Sequence, residues 1–238
     1  MKMKWVGLLI LAVTLLSCNR DDCVEASGDR WNYDRTVDAF HTLELSMSAD
    51  AYIKLDTALE QPTVRVVAQD NIVDRISSEV TNGKLRLFFN QCIDNNTGIR
   101  FFIATPTLRT IIASGSGDVY SQEILTLDSL SILSIDNGDI NLTVNTHFLQ
   151  TQLSDAGDLS LFGYSTHFES TIDASGDVYA FEMPADTVYS TLNSSGNLSA
   201  RVENELNVII NSSGDVYYKG TPQISSQLNG SGEVIDSN

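Results

Sequence analysis

Positive charge is scarce in this sequence of 238 residues. Lysine and arginine together number 14 against 31 aspartate and glutamate residues, which gives a formal net charge of −17. Because a nucleic acid is a polyanion that must be neutralised by cations, we expect no nucleic-acid partner. An anionic membrane surface would repel the chain for the same reason, so contact with a membrane is expected only through a covalent lipid.

One hydrophobic run suggests targeting; it lies between Trp5 and Leu16 and follows two lysines. Twelve residues are too few to span a bilayer as a permanent anchor, which favours a cleaved export signal over residues 1–17. The order Leu15-Leu16-Ser17-Cys18 resembles the bacterial lipobox, whose cysteine thiol takes the lipid. We therefore predict that Cys18 is the lipidated first residue of the mature chain. The alternative is a plain signal peptide.

Residues 18–35 are polar and are predicted to be a tether between the lipid and the first strand. Asp21 and Asp22 resemble the acidic tag that directs lipoproteins to the outer face in some Gram-negative lineages. These features together predict a cell-envelope lipoprotein of the outer membrane.

Cysteine is also scarce, with three residues in the chain. Once Cys18 is assigned to the lipid, Cys23 and Cys92 remain. In an oxidising compartment these two residues either form a disulfide, which would close a loop of about seventy residues, or stay as separate thiols. The sequence leaves both alternatives open.

Catalytic motifs are missing. The three histidines, His41, His147 and His167, are far apart, and no Ser-His-Asp order, Cys-His pair or phosphate-cradling glycine loop occurs. A β-helix enzyme acting on acidic polysaccharides needs basic residues to neutralise uronates. From residue 113 onward the basic residues are Arg201 and Lys219, against seventeen acids. We predict that the chain is not an enzyme and keep such a polysaccharide-acting enzyme as the least favoured alternative.

The sequence does contain a repeat of glycine, an acidic or amide residue, and a branched aliphatic residue. Successive glycines are 18 to 21 residues apart, and a fixed period of about twenty predicts a solenoid. The seven pairs are Gly117-Asp118, Gly138-Asp139, Gly157-Asp158, Gly176-Asp177, Gly196-Asn197, Gly214-Asp215 and Gly232-Glu233.

Apolar residues alternate on both sides of each pair, which indicates strands. Equivalent strands of successive coils must run parallel, so we predict an all-β chain. Its fold is a parallel β-solenoid, a flattened right-handed β-helix with about two strands per coil. A single domain is predicted over 36–238, with an irregular β-rich N-terminal part and cap at 36–112 and regular repeats at 113–238. Glycine is expected to supply a positive φ, and the aspartate to bond the amides of its own turn.

The ladder of acidic turns also raises the hypothesis that its carboxylates bind calcium. Asn197 interrupts the ladder, Glu233 alters its side-chain length, and each coil has only one Gly-Asp turn. We therefore predict a structural ladder with no metal and no cofactor.

Three outward tyrosines, Tyr120, Tyr179 and Tyr217, follow the aliphatic residue in three coils. Exposed aromatic rings on a rigid sheet can stack on sugars or on a protein partner, so these residues are a candidate binding surface. The alternative is that tyrosine is simply a good strand residue.

Four motifs resemble the family described as putative auto-transporter adhesin, head GIN domain, over residues 36–238. They are Phe40-His41-Thr42-Leu43-Glu44-Leu45, Asn82-Gly83-Lys84-Leu85, Thr105-Pro106-Thr107-Leu108 and Ser114-Gly115-Ser116-Gly117-Asp118-Val119. The resemblance implies a β-solenoid envelope protein, often a lipoprotein, with an adhesive role and no catalytic residues. Ala49 departs from the glycine usual in the family. The expected function is a binding or adhesion module with a glycan or protein ligand. The alternative is a structural protein that self-associates as a homo-oligomer through the solenoid edge at 234–236.

Overall fold

The structure is a computed structural model that describes residues 23–94 and 98–238. The predicted signal peptide at 1–17 and the predicted lipidation site Cys18 lie outside the described residues. Within the two described ranges, no helix has the length and apolar character needed to cross a bilayer.

The described chain consists almost entirely of strands, with one 3₁₀ helix at Val73–Arg75. The strands are β1 Val24–Glu25, β2 Arg30–Thr36, β3 Thr42–Ser46, β4 Asp50–Leu55, β5 Thr63–Gln69, β6 Ile76–Thr81, β7 Lys84–Phe89, β8 Ile93–Asp94, β9 Arg100–Thr105, β10 Thr110–Ala113, β11 Val119–Ser121, β12 Leu125–Ser134, β13 Ile140–Leu153, β14 Leu159–Ile172, β15 Val178–Leu192, β16 Leu198–Ile210, β17 Val216–Lys219, β18 Gln223–Leu228 and β19 Val234–Asp236.

Backbone pairing gives the solenoid two sides, which the long strands β13 to β16 join into one sheet of seventeen strands. We call the first side, in the order β2-β5-β9-β4-β11-β13-β14-β15-β16-β17-β19, the first face. The second face has the order β6-β7-β3-β10-β12-β13-β14-β15-β16-β18. In these two orders, every pairing from β9-β4 and from β7-β3 to the C-terminal end is parallel, which confirms the predicted parallel β-solenoid.

Antiparallel strands close the N-terminal end of the stack. On the first face β9 pairs with β5, and β5 with β2. On the second face β7 pairs with β6 through the predicted hairpin, where Asn82 and Gly83 both adopt positive φ angles of 51° and 73°. Antiparallel pairing of β2, β5 and β6 onto β9 and β7 therefore forms the cap, while β3, β4 and β10 of the N-terminal part pair in parallel.

The two strands predicted for each coil are continuous in the middle of the solenoid. Strands β13 to β16 are 13 to 15 residues long and bend at the looser turn without ending. Neighbouring coils bend at the same place, so the ladder of backbone hydrogen bonds persists with local register shifts. Gly163 lies in one of these bends with a φ of +104°, a conformation that residues with a β-carbon rarely adopt.

The core is made of stacked aliphatic side chains. The residue after each pair from Gly117-Asp118 to Gly214-Asp215 is buried, and equivalent residues of successive coils pair directly across the sheet. Full burial of a side chain of this size is worth about 1.5–3 kcal/mol. The stack on the first face is Ala51, Val119, Ile140, Leu159, Val178, Leu198 and Val216, all at most 1% exposed.

The N-terminal segment is more ordered than its polar sequence predicts. Residues 23–35, expected to belong to the tether, carry β1 and most of β2. Strand β2 pairs with β5 over seven residue pairs, and Arg35 donates to the carbonyl oxygens of Ile76 at 2.7 Å and Val73 at 2.9 Å. The segment is polar because β2 is an edge strand of the cap, with one side of its backbone and most of its side chains in water.

Cys23 and Cys92 form a disulfide in the structure, with their Cα atoms 4.6 Å apart. Beside it, β1 pairs with β8, and the amide of Val24 donates to the carbonyl oxygen of Cys92 at 3.0 Å. The sequence leaves open whether these cysteines form a disulfide or stay as separate thiols, and in the structure they form the disulfide. It ties the first described residue to the cap 69 positions away.

Candidate functional site

The ladder glycines stack directly on one another along the solenoid axis. A β-carbon at Gly138 would overlap the carbonyl oxygen of Gly117, and one at Gly157 would overlap that of Gly138. The same relation continues to Gly232. None of these glycines has a positive φ, so the reason predicted from the sequence is wrong. Glycine is required here because the coils approach each other backbone to backbone.

The acidic residue of each turn bonds the next coil. The Oδ1 atom of Asp118 accepts the amide of Asp139 at 2.9 Å, and the pattern repeats up to Asp215, which accepts the amide of Glu233 at 2.8 Å. Asp50 begins the series by accepting the amide of Asp118 at 3.3 Å. The predicted bonding within the same turn is therefore corrected: each side chain caps the equivalent amide one coil further along.

Asn197 fits this ladder without a charge. Its Oδ1 atom accepts the amide of Asp215 at 2.8 Å, while its side-chain NH₂ donates to Oδ1 of Asp177 at 3.0 Å. An amide therefore replaces the carboxylate and adds one hydrogen bond. Among the described residues, only Cys23, Cys92 and Asp94 bring three metal-ligand atoms within 4.8 Å, and the two sulfurs are already joined to each other.

A row of outward side chains crosses the first face, one from each strand. It contains all three tyrosines singled out in the sequence, and the backbone register brings them into one line. In order from the cap, the row is Asp34, Arg65, Phe102, Tyr52, Tyr120, Asn141, Ser160, Tyr179, Ser199, Tyr217 and Ile235. We call it the tyrosine row.

Aromatic rings stack at the cap end of the tyrosine row. The Tyr52 ring lies between Phe102, with centroids 5.0 Å apart, and Tyr120, with centroids 5.1 Å apart. The interplanar angles of 15° and 17° show nearly parallel rings. Since offset stacked rings attract each other beyond their area of contact, this stack fixes one face of Tyr120 against the cap.

The three tyrosine hydroxyls are held by the acidic ladder. Each donates to the second carboxylate oxygen of the aspartate two residues earlier, whose first oxygen caps the next coil. The bond to Asp118, with burial second, raises the pKa of Tyr120; for the other two tyrosines burial is the first cause and the aspartate the second. The hydroxyls therefore stay protonated, and the rings are oriented before any ligand arrives. The pairs are Tyr120–Asp118 at 2.8 Å, Tyr179–Asp177 at 3.1 Å and Tyr217–Asp215 at 3.2 Å.

A shallow gap separates Tyr120 from Tyr179. Its floor is Asn141 and Ser160, whose side chains are short. The two tyrosines are three coils apart, which corresponds to about 14 Å at the usual strand spacing. Tyr179 is 46% exposed, while Tyr120 is half-buried, so the ring at one wall of the gap faces water.

The gap is bordered by two carboxylates with spare acceptors. Asp139 and Asp158 belong to coils in which no tyrosine occupies the row. In the described part of the molecule no side chain donates to their Oδ2 atoms, although their Oδ1 atoms cap the next coil. The gap thus combines an aromatic wall with oxygen atoms able to accept hydroxyl groups.

A family model described as putative auto-transporter adhesin, head GIN domain, matches residues 39–222. The chain belongs to this family. The match covers most of the 36–238 range over which the motifs predict the resemblance. No curated protein matches the sequence.

Solved structures share the adhesin-family fold over nearly the whole chain. A putative adhesin from Bacteroides fragilis has a TM-score of 0.83 and 23% identity, with 90% of this chain and 99% of that chain covered. A putative adhesin from Parabacteroides merdae has a TM-score of 0.70 and 18% identity, covering 91% and 100%. A putative lipid-binding protein from Parabacteroides distasonis has a TM-score of 0.72 and 19% identity, covering 90% and 99%.

The departure at Ala49 from the family's usual glycine has a local reason. Ala49 stands at the start of the glycine stack, directly before Gly117. On its other side, at Ile99, the chain does not form another Gly-Asp turn, because β4 pairs there with the cap strand β9. A methyl group therefore fits at Ala49, although it would not fit at any later position of the stack.

A second ladder, missed in the sequence, runs beside the first. In the last four coils the residue after the second arm is an aspartate or asparagine, and its side chain bonds the equivalent residue of the neighbouring coil. Polar residues repeating at this place with the same period were the available signal. The ladder is Asp173, Asn193, Asn211 and Asn229, joined at 2.8, 2.7 and 2.7 Å.

The histidines are not brought together. His147 lies against Thr166 of the next coil, with Nδ1 3.4 Å from Oγ1, while His167 pairs with Phe148 in the backbone register. His41 contacts Thr42 in the cap, with Nδ1 3.1 Å from Oγ1. The three histidines therefore do not pair with one another for acid and base chemistry. The candidate functional site is the tyrosine row.

Proposed function

We propose that the protein is a non-catalytic binding module of the cell envelope, and that the tyrosine row binds a glycan. The observation that carries the proposal is the gap between Tyr120 and Tyr179, with its oriented aromatic walls and its bordering carboxylates. Membership of the adhesin family supports a role in binding outside the cytoplasm.

A glycan suits this gap better than an apolar ligand. The faces of sugar rings are apolar enough to stack on a tyrosine ring, while their hydroxyl groups donate hydrogen bonds. Asp139 and Asp158 offer free acceptors at the rim, and the floor is polar. Because the tyrosine hydroxyls are already bonded and the strands are rigid, a ligand would lose little affinity to ordering of the site.

Replacing Tyr179 with alanine is expected to weaken glycan binding about tenfold, since a stacking contact is worth about 1.4 kcal/mol together with its buried area. The measurement is a glycan array followed by calorimetric titration of the strongest ligand. Tyr189→Ala is the matched control, because Tyr189 is also exposed, at 47%, but lies on the second face. Silence across the array, or an equal loss in both variants, contradicts the assignment.

We also propose that the module is held at the outer membrane by a lipid on Cys18. The basic start, the hydrophobic run and the Leu15-Leu16-Ser17-Cys18 order support this anchor. In a host that performs lipidation, Cys18→Ser is expected to abolish incorporation of a labelled fatty acid and to release the protein from the membrane fraction. Cys23→Ser is the control and should keep the label; a labelled Cys18→Ser variant would disprove the anchor.

Self-association through the solenoid edge is the second candidate function. Strands β18 and β19 each pair on one side only, and Ile224 and Leu228 of β18 are 44% and 50% exposed. Their equivalents one coil earlier, Leu206 and Ile210, are fully buried. Exposed apolar side chains on an unpaired edge strand favour pairing with a second copy.

Light scattering at two protein concentrations tests this second candidate. We expect a dimer that dissociates on dilution, and a monomer at both concentrations for Leu228→Lys, because the new charge would be buried in the contact. Ile135→Lys serves as the control, since Ile135 is 45% exposed in a turn away from that edge. A wild-type protein that is monomeric at both concentrations excludes the edge contact.

A further inference from the structure

We propose that Arg201 and Lys219 bind the carboxylate or sulfate group of an acidic sugar placed over Ser199. This inference rests on the proposed glycan-binding function and assigns a charge class to a second position of the tyrosine row. It starts from the place where the two basic residues of the repeat region meet. In the sequence they are eighteen positions apart; in the structure they are direct neighbours across two parallel strands.

Ser199 is a small residue between two tyrosines. Tyr179 and Tyr217 lie one coil before and one coil after it in the tyrosine row. The two rings are therefore about 10 Å apart at the usual strand spacing, with a notch over the serine. We call this place the Ser199 notch.

A basic and aromatic column runs beside the notch. Side chains two positions apart on a strand point to the same side, so each residue of the notch has an outward neighbour. Phe181 stands beside Tyr179, Arg201 beside Ser199 and Lys219 beside Tyr217. The Lys219 ammonium lies 4.5 Å from the centre of the Phe181 ring and so reaches across the coil of Arg201.

Neither of these two cations is neutralised by an ion pair among the described residues, although Lys219 contacts the Phe181 ring. The salt bridges within the described residues involve Lys54, Arg65, Lys84 and Arg86, and neither Arg201 nor Lys219 takes part in one. The Arg201 side chain is exposed. Two cations on neighbouring strands repel each other, and a bound anion would relieve that repulsion.

The acidic ladder loses its charge on the same coil. Asn197 is the one ladder residue of the seven repeats without a carboxylate. It lies two residues before Ser199, whereas Arg201 lies two residues after Ser199. An aspartate there would repel an anion in the notch. The coil that carries Arg201 thus replaces a negative charge with a neutral amide and adds a positive one.

The surroundings limit where an anion can lie. Glu182 and Glu203 are exposed just beyond Phe181 and Arg201, and Asp177 and Asp215 flank Asn197 in the ladder. At physiological salt, charges more than about 8 Å apart are largely screened, so carboxylates farther along the surface have little effect at the notch. Asp177 and Asp215 already accept the hydroxyl groups of Tyr179 and Tyr217, and Glu182 and Glu203 lie on the far side of the cations from Ser199. Arg201 and Lys219 therefore attract a negative group, while the tyrosine rings contact the sugar.

An acidic sugar fits this combination better than an acidic peptide. The two aromatic walls stand on either side of a short floor, which suits a ring inserted between them. Guanidinium groups bind carboxylate and sulfate oxygens through charge-assisted hydrogen bonds. A hexuronate or a sulfated hexose is the ligand class with both a stackable ring and an anionic group.

The test uses nuclear magnetic resonance on the whole mature protein labelled with ¹⁵N. Glucuronate is titrated against glucose and against an Asp-Glu dipeptide, following the Arg201 side-chain NεH and the Ser199 amide. We expect glucuronate to shift both signals at tenfold lower concentration than glucose or the peptide. Arg201→Gln combined with Lys219→Gln should abolish that preference. Lys54→Gln, which removes a cation from the same face, should preserve it.

The outcomes separate this inference from the proposed function. Equal shifts with glucuronate and glucose would leave a sugar site in place and overturn its acidic preference. Equal shifts with the dipeptide would overturn the sugar class. No shift at Arg201 and Ser199 with any probe removes the Ser199 notch as a site. Binding in the Tyr120–Tyr179 gap is judged separately by the glycan array and calorimetric titration on the Arg201→Gln, Lys219→Gln double variant, in which the gap is unchanged.

Discussion

Replacing Gly176 with alanine is expected to destabilise the protein by about 3 kcal/mol or more. The three heavy atoms nearest to the added β-carbon all belong to the backbone, and they include the carbonyl oxygens of Gly157 and Asp155. A side chain can rotate away from an intruding methyl group, but a stacked backbone can move only by separating two coils. Overpacking of a well-packed core usually costs about 1–3 kcal/mol, and a clash with backbone lies at the upper end or beyond.

Ala49→Gly is the matched control, because the same column is changed in the opposite direction at the one position that accepts a methyl group. It is expected to cost about 1 kcal/mol, from the greater freedom of glycine in the unfolded chain. Urea denaturation of both variants measures the difference. Equal losses of stability would show that the glycines are not selected by the close approach of the coils.

The architecture could be predicted because every coil of a solenoid places the same demands on its residues, so the same residue types recur with a fixed period. Val119 and its equivalents recur with a fixed period since each is covered by the next coil, and the glycines recur for the same reason. Because the repeat occurs seven times, an irregular residue in one copy does not hide the pattern. The cap has no such redundancy: β2 looks like a polar tether because its pairing partner β5 is almost thirty residues away.

The reasons behind the ladder could not be found from the sequence. A Gly-Asp pair has the same letters whether the glycine supplies a positive φ or a gap for a neighbouring carbonyl group. Likewise, the carboxylate of Asp118 could bond its own turn or Asp139. Only the placement of one coil on another separates these alternatives, and in both cases the contact runs between coils.

Only part of the candidate site could be predicted, namely the residues that belong to the repeat. Tyr120, Tyr179 and Tyr217 share a repeat position, so their common side of the solenoid follows from the period. Tyr52 joins Tyr120 only because β4 pairs with β11 across nearly seventy residues, most of them outside the repeat. Arg201 and Lys219 were visible as a rare pair of charges, but their position opposite each other on neighbouring strands depends on the register of β16 and β17.

Removing the disulfide by the combined changes Cys23→Ser and Cys92→Ser is expected to lower the free energy of unfolding by about 4 kcal/mol. The bond closes a loop of 69 residues, and the chain-entropy relation gives a value of this size for such a loop. The measurement is urea denaturation with and without a reducing agent. Reduction should reproduce the loss in the wild-type protein and leave the double variant unchanged.

Hydrogen exchange shows whether removing the disulfide destabilises only the cap or the whole solenoid. The amides of Val24 and Ala26 donate to the carbonyl oxygens of Cys92 and Asp94, at 3.0 and 2.8 Å, and β2 follows directly. Without the bond, these two amides should exchange with solvent hydrogen fastest, while those of the aliphatic stack in β14 and β15 keep their protection under native conditions. Two thiols that react with an alkylating agent in the unreduced protein would show that the bond does not form. An unchanged exchange rate at Val24 after reduction would show that β1 is held by its pairing with β8 alone.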